Sequence, residues 1–95
     1  MSKYRLSNAA KEDLIRIHQY GVIKFGVVLA DKYFNSFFEY FDIVAERPES
    51  FEAVDFIKPG YRRCVCGVDS IYFKINEDIV EIMAIIGRQD LAQLL

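Results

Sequence analysis

The chain predicts an α+β fold, in which an antiparallel two-helix hairpin packs on a small antiparallel β-sheet. Three observations lead there. Two stretches with helical periodicity adjoin, with a single glycine between them. Three short apolar segments crowd the second half of the chain, separated by turn residues. A brief polar–apolar alternation opens the chain.

That opening alternation, Lys3 to Leu6, reads as a short edge strand. Ser7 follows as a good N-cap, and Glu12 and Asp13 fall near a helix start, where acids are favoured. Ala10, Leu14, Ile17 and Gly21 then keep a 3.6-residue period, with Lys11, Arg16 and Gln19 mostly on the other side. The first helix is expected over residues 8–25. Gly26 suits the positive-φ position that ends a helix. The pattern resumes at once through Ala30, Tyr33, Phe34, Phe37, Phe41, Val44 and Ala45, giving a second helix over residues 27–46 that stops before Pro48. So short a connection makes the helices antiparallel. At roughly 27 to 30 Å each, they match one face of a small sheet.

Residues 47–60 contain Pro48, Pro59 and Gly60 and read as a loop. Strands are expected over residues 61–66, 70–75 and 79–86, with turns at Gly67 and at Asn76-Glu77-Asp78. The last strand, IVEIMAII, is unusual. Strict alternation puts Val80, Ile82, Ala84 and Ile86 on one face and Ile79, Glu81, Met83 and Ile85 on the other. Both faces are then largely apolar, and two helices cover only one of them. The other face is expected to form a groove that receives a second chain. The alternative is a strand tucked under its own loop and tail.

Ninety-five residues make one domain, residues 1–95. The 53% hydrophobic and 15% aromatic content excludes a disordered chain and leaves apolar surface to spare. A net charge of −2 argues against sequence-specific nucleic-acid binding, which draws on phosphate neutralisation. The start, MSKYRLSNAAKED, lacks the apolar core of a signal peptide, and no run approaches the roughly 20 residues that span a bilayer. A cytoplasmic setting with reduced thiols is expected, and no membrane partner.

In order, Tyr4, Leu6, Ser7, Ala10, Asp13, Leu14, Ile17 and Tyr20 form Y-x-L-S-x-x-A-x-x-D-L-x-x-I-x-x-Y. Phe25-Gly26, Ala30, Tyr33, Ala45 and Pro48 follow. Next come Gly60-Tyr61-Arg62, Gly67 and Ile71-Tyr72-Phe73, and last Gly87-Arg88-x-Asp90. The ordered set spans nearly the whole chain and resembles ParE-type toxins of the RelE/ParE superfamily. The resemblance implies that superfamily's fold and a ParD-like antitoxin whose C-terminal segment wraps the toxin. It also implies DNA gyrase as the target, in the plasmid-stabilisation manner of type II toxin–antitoxin systems. Two positions depart from the family pattern: Asp69 and Ile86 stand where histidines are common.

The segment GYRRCVCG decides between chemistries. Cys64 and Cys66 lie two apart on a strand and share a face. A disulfide between them would be strained, and a metal site needs three or four ligands where His18 is the only histidine. The thiols are expected as buried packing, with no metal and no cofactor. Arg62 and Arg63 fall on opposite faces of the strand. They are target-binding candidates, able to make bidentate contacts to carboxylates of the target or of an acidic antitoxin; Arg88 and Asp90 could pair locally, and the resemblance makes them target-binding candidates too. The exposed-face residues Tyr61, Tyr72, Met83 and Ile85 are the antitoxin-binding candidates. No catalytic residue is assigned, because message cleavage needs a base and an acid beside the cations. Three readings follow: a gyrase-binding toxin, which the resemblance favours, a RelE-like ribosome-dependent ribonuclease, or a degenerate toxin that only binds its antitoxin.

Overall fold

The computed structural model describes residues 3–87. Arg88 and Asp90, two of the expected target contacts, lie outside the described residues. The elements run β1 (Tyr4–Leu6), α1 (Asn8–Phe25), α2 (Val27–Glu46), β2 (Glu52–Ala53), β3 (Arg62–Cys66), β4 (Asp69–Asn76) and β5 (Ile79–Gly87). The α+β architecture is the one expected, and both helices have the expected limits. A 3₁₀ turn, Pro48–Ser50, links α2 to β2.

Local chemistry sets these limits. Ser7 caps α1, its hydroxyl oxygen accepting from the Ala10 amide. Gly26 stands at φ +89° and ψ 166°, which glycine adopts without a Cβ penalty, and its N–H closes α1 on the Val22 carbonyl. Gly21 brings the helices together, because a Cβ there would lie 3.3 Å from the Ala30 Cβ. The two hairpin turns are two residues long, with Gly67 at φ +63° and Glu77 at φ +61°.

The sheet order is β1-β5-β4-β3-β2. The three long strands pair antiparallel, as expected, but β1 lies parallel to β5, so the sheet is mixed. The helical hairpin separates β1 from the rest of the sheet in sequence, which makes a parallel return possible. The short β2 was not expected; it forms the far edge beside Arg62 and Arg63.

The core is assembled on the helix side. Leu14 and Ile17 of α1 and Phe37, Phe41 and Val44 of α2 meet Cys64, Cys66, Ile71, Phe73, Val80, Ile82 and Ile85. Each large side chain so buried contributes about 1.5–3 kcal/mol. Tyr33, Phe37 and Phe41 form a ring ladder along α2, with centroids 5.0 and 6.5 Å apart.

One register shift corrects the expected facing of β5. Tyr72 pairs with Ala84, but its neighbour Phe73 pairs with Ile82, so Met83 is an extra residue at a β-bulge. Val80 and Ile82 face the helices. Beyond the bulge the phase inverts: Ile85 faces the helices, while Ala84 and Ile86 face away. Ile85 is completely buried in the main core and does not belong to an open sheet face.

Candidate functional site

The far face of the sheet is also not open. Tyr61, Tyr72, Ala84 and Ile86 form a second buried cluster with Val54, and Ile57 and Met83 pack against it. The loop after β2 folds back through Val54 N–H to the Tyr61 carbonyl (2.8 Å) and Ile57 N–H to the Val54 carbonyl (2.8 Å). Of the four expected antitoxin contacts, Tyr61, Tyr72 and Ile85 are buried and only Met83 is half-buried. The expected open groove is thus largely filled by the chain's own loop, the alternative that the sequence left standing.

Both arginines of β3 are engaged inside the fold. The Arg62 Nη1 donates to the Phe51 carbonyl at 2.7 Å and ties the segment before β2 to β3. Arg63 donates from Nε to Glu52 at 2.8 Å, and its Nη1 lies 3.5 Å from the Tyr72 hydroxyl. These hydrogen bonds hold the Arg63 guanidinium in its protonated form. Both residues keep partial exposure, so a partner's carboxylate would have to compete with Phe51 or Glu52 for them.

Cys64 and Cys66 sit in the core, as their spacing implied. Burial pushes the Cys64 thiol up to about 11, and it raises Cys66 against an opposing contact from Ser36. Neither is a thiolate at neutral pH, so neither is a nucleophile. Among the described residues, no group of three or more His, Cys, Asp or Glu side chains could hold a metal ion. His18 is 2.7 Å from Asp31 and edge-on to Phe34. This pair bridges the two helices in a groove of roughly 540 Å³, lined also by Ile15, Gln19 and Asn35, which offers no nucleophile.

Asp69 has a structural partner where the family pattern often has histidine. The Tyr33 hydroxyl lies 2.9 Å from both the Asp69 Oδ2 and the Cys66 carbonyl, which straddle the β3–β4 turn. Burial, with the Asp69 carboxyl beside it, pushes the Tyr33 phenol well above its ordinary range. Gly67 has to be glycine here, since an added Cβ would lie 2.7 Å from the Tyr33 ring. Tyr33→Phe should therefore lower stability by about 1–2 kcal/mol, because buried acceptors lose their donor. A urea unfolding curve superimposable on the wild type would contradict this role.

Exposed apolar side chains concentrate around the junction of the two helices, with Phe56 in the loop after β2 and Val68 in the β3–β4 turn exposed as well. Ile23 is 86% and Val28 80% exposed, and Tyr20, Phe25, Val27 and Leu29 are each more than half exposed. Lys24 and Lys32 are exposed beside them. Sequence reading missed this patch, because the same residues extend the apolar pattern of both helices. Among the described residues, no helix is long and apolar enough to cross a membrane.

A family model described as the ParE toxin of the type II toxin-antitoxin system, parDE, matches residues 4–92. Toxin ParE1 of Caulobacter vibrioides is 32% identical over 76 residues, covering 80% of this chain and 79% of that protein. Toxin ParE1 of Mycobacterium tuberculosis strain H37Rv is 28% identical over 89 residues, covering 93% and 91%. A solved structure described as the chromosomal ParDE TA system from P. aeruginosa superposes with a TM-score of 0.81 at 19% identity. It covers 92% of this chain and 96% of its own, which is a likeness of fold.

Proposed function

The chain belongs to the ParE toxin family of type II toxin–antitoxin systems, and from that premise we propose that it acts by binding DNA gyrase and is neutralised by a ParD-like antitoxin. The observation that favours binding over catalysis is the state of β3. Arg62 and Arg63 already have partners, both thiols are buried and protonated, and the described histidine is paired with Asp31 on the helices. Phosphoryl transfer needs an acid and a base converging on one phosphate. The described residues bring no such set together.

For the antitoxin, the helix junction is the described region where the most exposed apolar side chains adjoin in sequence, and it is the landing surface proposed here. Ile23, Phe25, Val27 and Val28 offer an apolar footing, and Lys24 and Lys32 suit an acidic, amphipathic segment. A ParD-like tail is the occupant proposed here. Arg62 and Arg63 remain proposed target contacts, joined by Arg88 and Asp90.

Purified toxin is expected to inhibit gyrase supercoiling or to trap cleaved DNA, and an equimolar ParD-like antitoxin should restore activity. Full supercoiling at saturating toxin would overturn the gyrase reading. Codon-linked cuts in translated message would replace it with ribonuclease action.

A further inference from the structure

Residues 54–61, which join β2 to β3, are tied into a closed loop. The Val54 N–H donates to the Tyr61 carbonyl, and the Ile57 and Lys58 amides both donate back to the Val54 carbonyl, at 2.8 and 3.0 Å. The Tyr61 N–H donates to the Lys58 carbonyl at 3.1 Å, and the Gly60 N–H to the Asp55 Oδ1 at 2.7 Å. The Lys58 Nζ lies 5.5 Å from the centroid of the Tyr61 ring. A loop already held this way has little ordering left to undergo when a partner binds it.

Its apolar side chains are used unequally. Val54 is fully buried and Ile57 packs against the same cluster, so both roof the sheet over Tyr72, Ala84 and Ile86. Phe56, between them in sequence, is 79% exposed and belongs to neither buried cluster. The charges beside the loop are also used unequally. Glu52 is taken by Arg63, and the Asp55 carboxylate by the Gly60 amide. Arg62, next to Tyr61, donates to the neutral Phe51 carbonyl, and no described carboxylate compensates its charge. A lone exposed apolar side chain is ordinary. An aromatic ring held out on a preorganised loop, with an uncompensated guanidinium at the loop's end, has the makings of a binding anchor.

We propose that Phe56 is the apolar anchor of the target-binding surface, entering a pocket on a folded partner protein whose rim presents carboxylates to Arg62. This rests on the target-binding reading above and takes DNA gyrase as the partner. The antitoxin is a different occupant: its proposed footing is on the helices, whereas the loop roofs the sheet face turned away from them. Because the sheet beneath is filled, a partner arriving from that side meets the loop.

The test compares the full-length toxin with Phe56→Ala and with Val68→Ala, a control of equal exposure (78%) in the β3–β4 turn. Phe56→Ala should weaken inhibition of gyrase supercoiling at least 10-fold, as truncating an anchor does, while Val68→Ala stays within about threefold of wild type. Both variants should melt within about 3 °C of wild type, since exposed substitutions barely move stability. Affinity for a ParD-like antitoxin, read by calorimetric titration, should be unchanged in both.

Inhibition by Phe56→Ala within about threefold of wild type overturns the anchor, and an equal loss in Val68→Ala overturns its assignment to this loop. A larger fall in Tm for Phe56→Ala gives the ring to the fold, and a matching loss of antitoxin affinity gives it to the antitoxin; either overturns the proposal. If wild-type toxin leaves gyrase fully active, the gyrase reading falls alone, and potency is read as the inducer level that arrests growth. There too Phe56→Ala should need at least 10-fold more inducer. Arrest at the wild-type level, or a wild type that arrests nothing, overturns the anchor.

Discussion

Replacing Phe37 with alanine should destabilise the toxin by about 3–5 kcal/mol, the usual cost of emptying a buried aromatic site. Phe37 is fully buried at the centre of the helix–sheet contact, 5.0 Å from the Tyr33 ring and 6.5 Å from Phe41. The helices and the sheet meet there on rigid elements, so the cavity has little freedom to collapse. A domain of this length holds in total about 5–14 kcal/mol, so one substitution removes roughly a fifth of it or more. The thermal midpoint should drop by roughly 12–40 °C. In urea, the midpoint should fall while the slope stays constant, since the surface exposed on unfolding is nearly the same. A loss below 1 kcal/mol would mean that this core is far more plastic than its packing implies.

The helices were legible because their signals agree: a 3.6-residue period, a serine cap, and Gly26 at the junction, where φ is positive. Four of the five strands were legible to within a residue or two; β2 was not. The facing of the last strand was not legible either. In IVEIMAII nearly every position is apolar, so alternation carries no phase, and nothing in those letters marks Met83 as the bulged residue. Once Met83 is set aside, Ile85 turns inward, and the supposed landing face shrinks to a cluster closed by Val54 and Ile57.

Polar partners were harder still to read. Asp13 and Arg16 looked like a helix-start acid and a solvated cation. Asp13 in fact lies past the first turn and finds the Ile85 amide 72 residues away. Arg62 and Arg63 looked available, yet β2, too short to show a pattern, brings Glu52 to one of them and the Phe51 carbonyl lies beside the other. What a sequence hides here is the pairing of groups distant along the chain.

Introducing charge at the helix junction should separate antitoxin binding from folding. In an Ile23→Glu, Val28→Glu double variant, affinity for a ParD-like antitoxin should fall at least 100-fold, which is about 2.7 kcal/mol. The reason is that a carboxylate must either leave water against an apolar partner or keep that partner away. Folding should hardly notice. Both side chains are already at least 80% exposed, and substitutions at such positions usually change stability by about 0.5 kcal/mol or less. Calorimetric titration and a thermal melt on the same sample read both quantities. Met83→Glu, on the largely filled sheet face, supplies the contrast: it should disturb the Val54–Tyr72–Ala84 cluster and lower the melting temperature without a comparable loss of affinity. The opposite pattern, tight binding by the double variant and weak binding by Met83→Glu, would return the antitoxin to the sheet and leave the exposed junction without a partner.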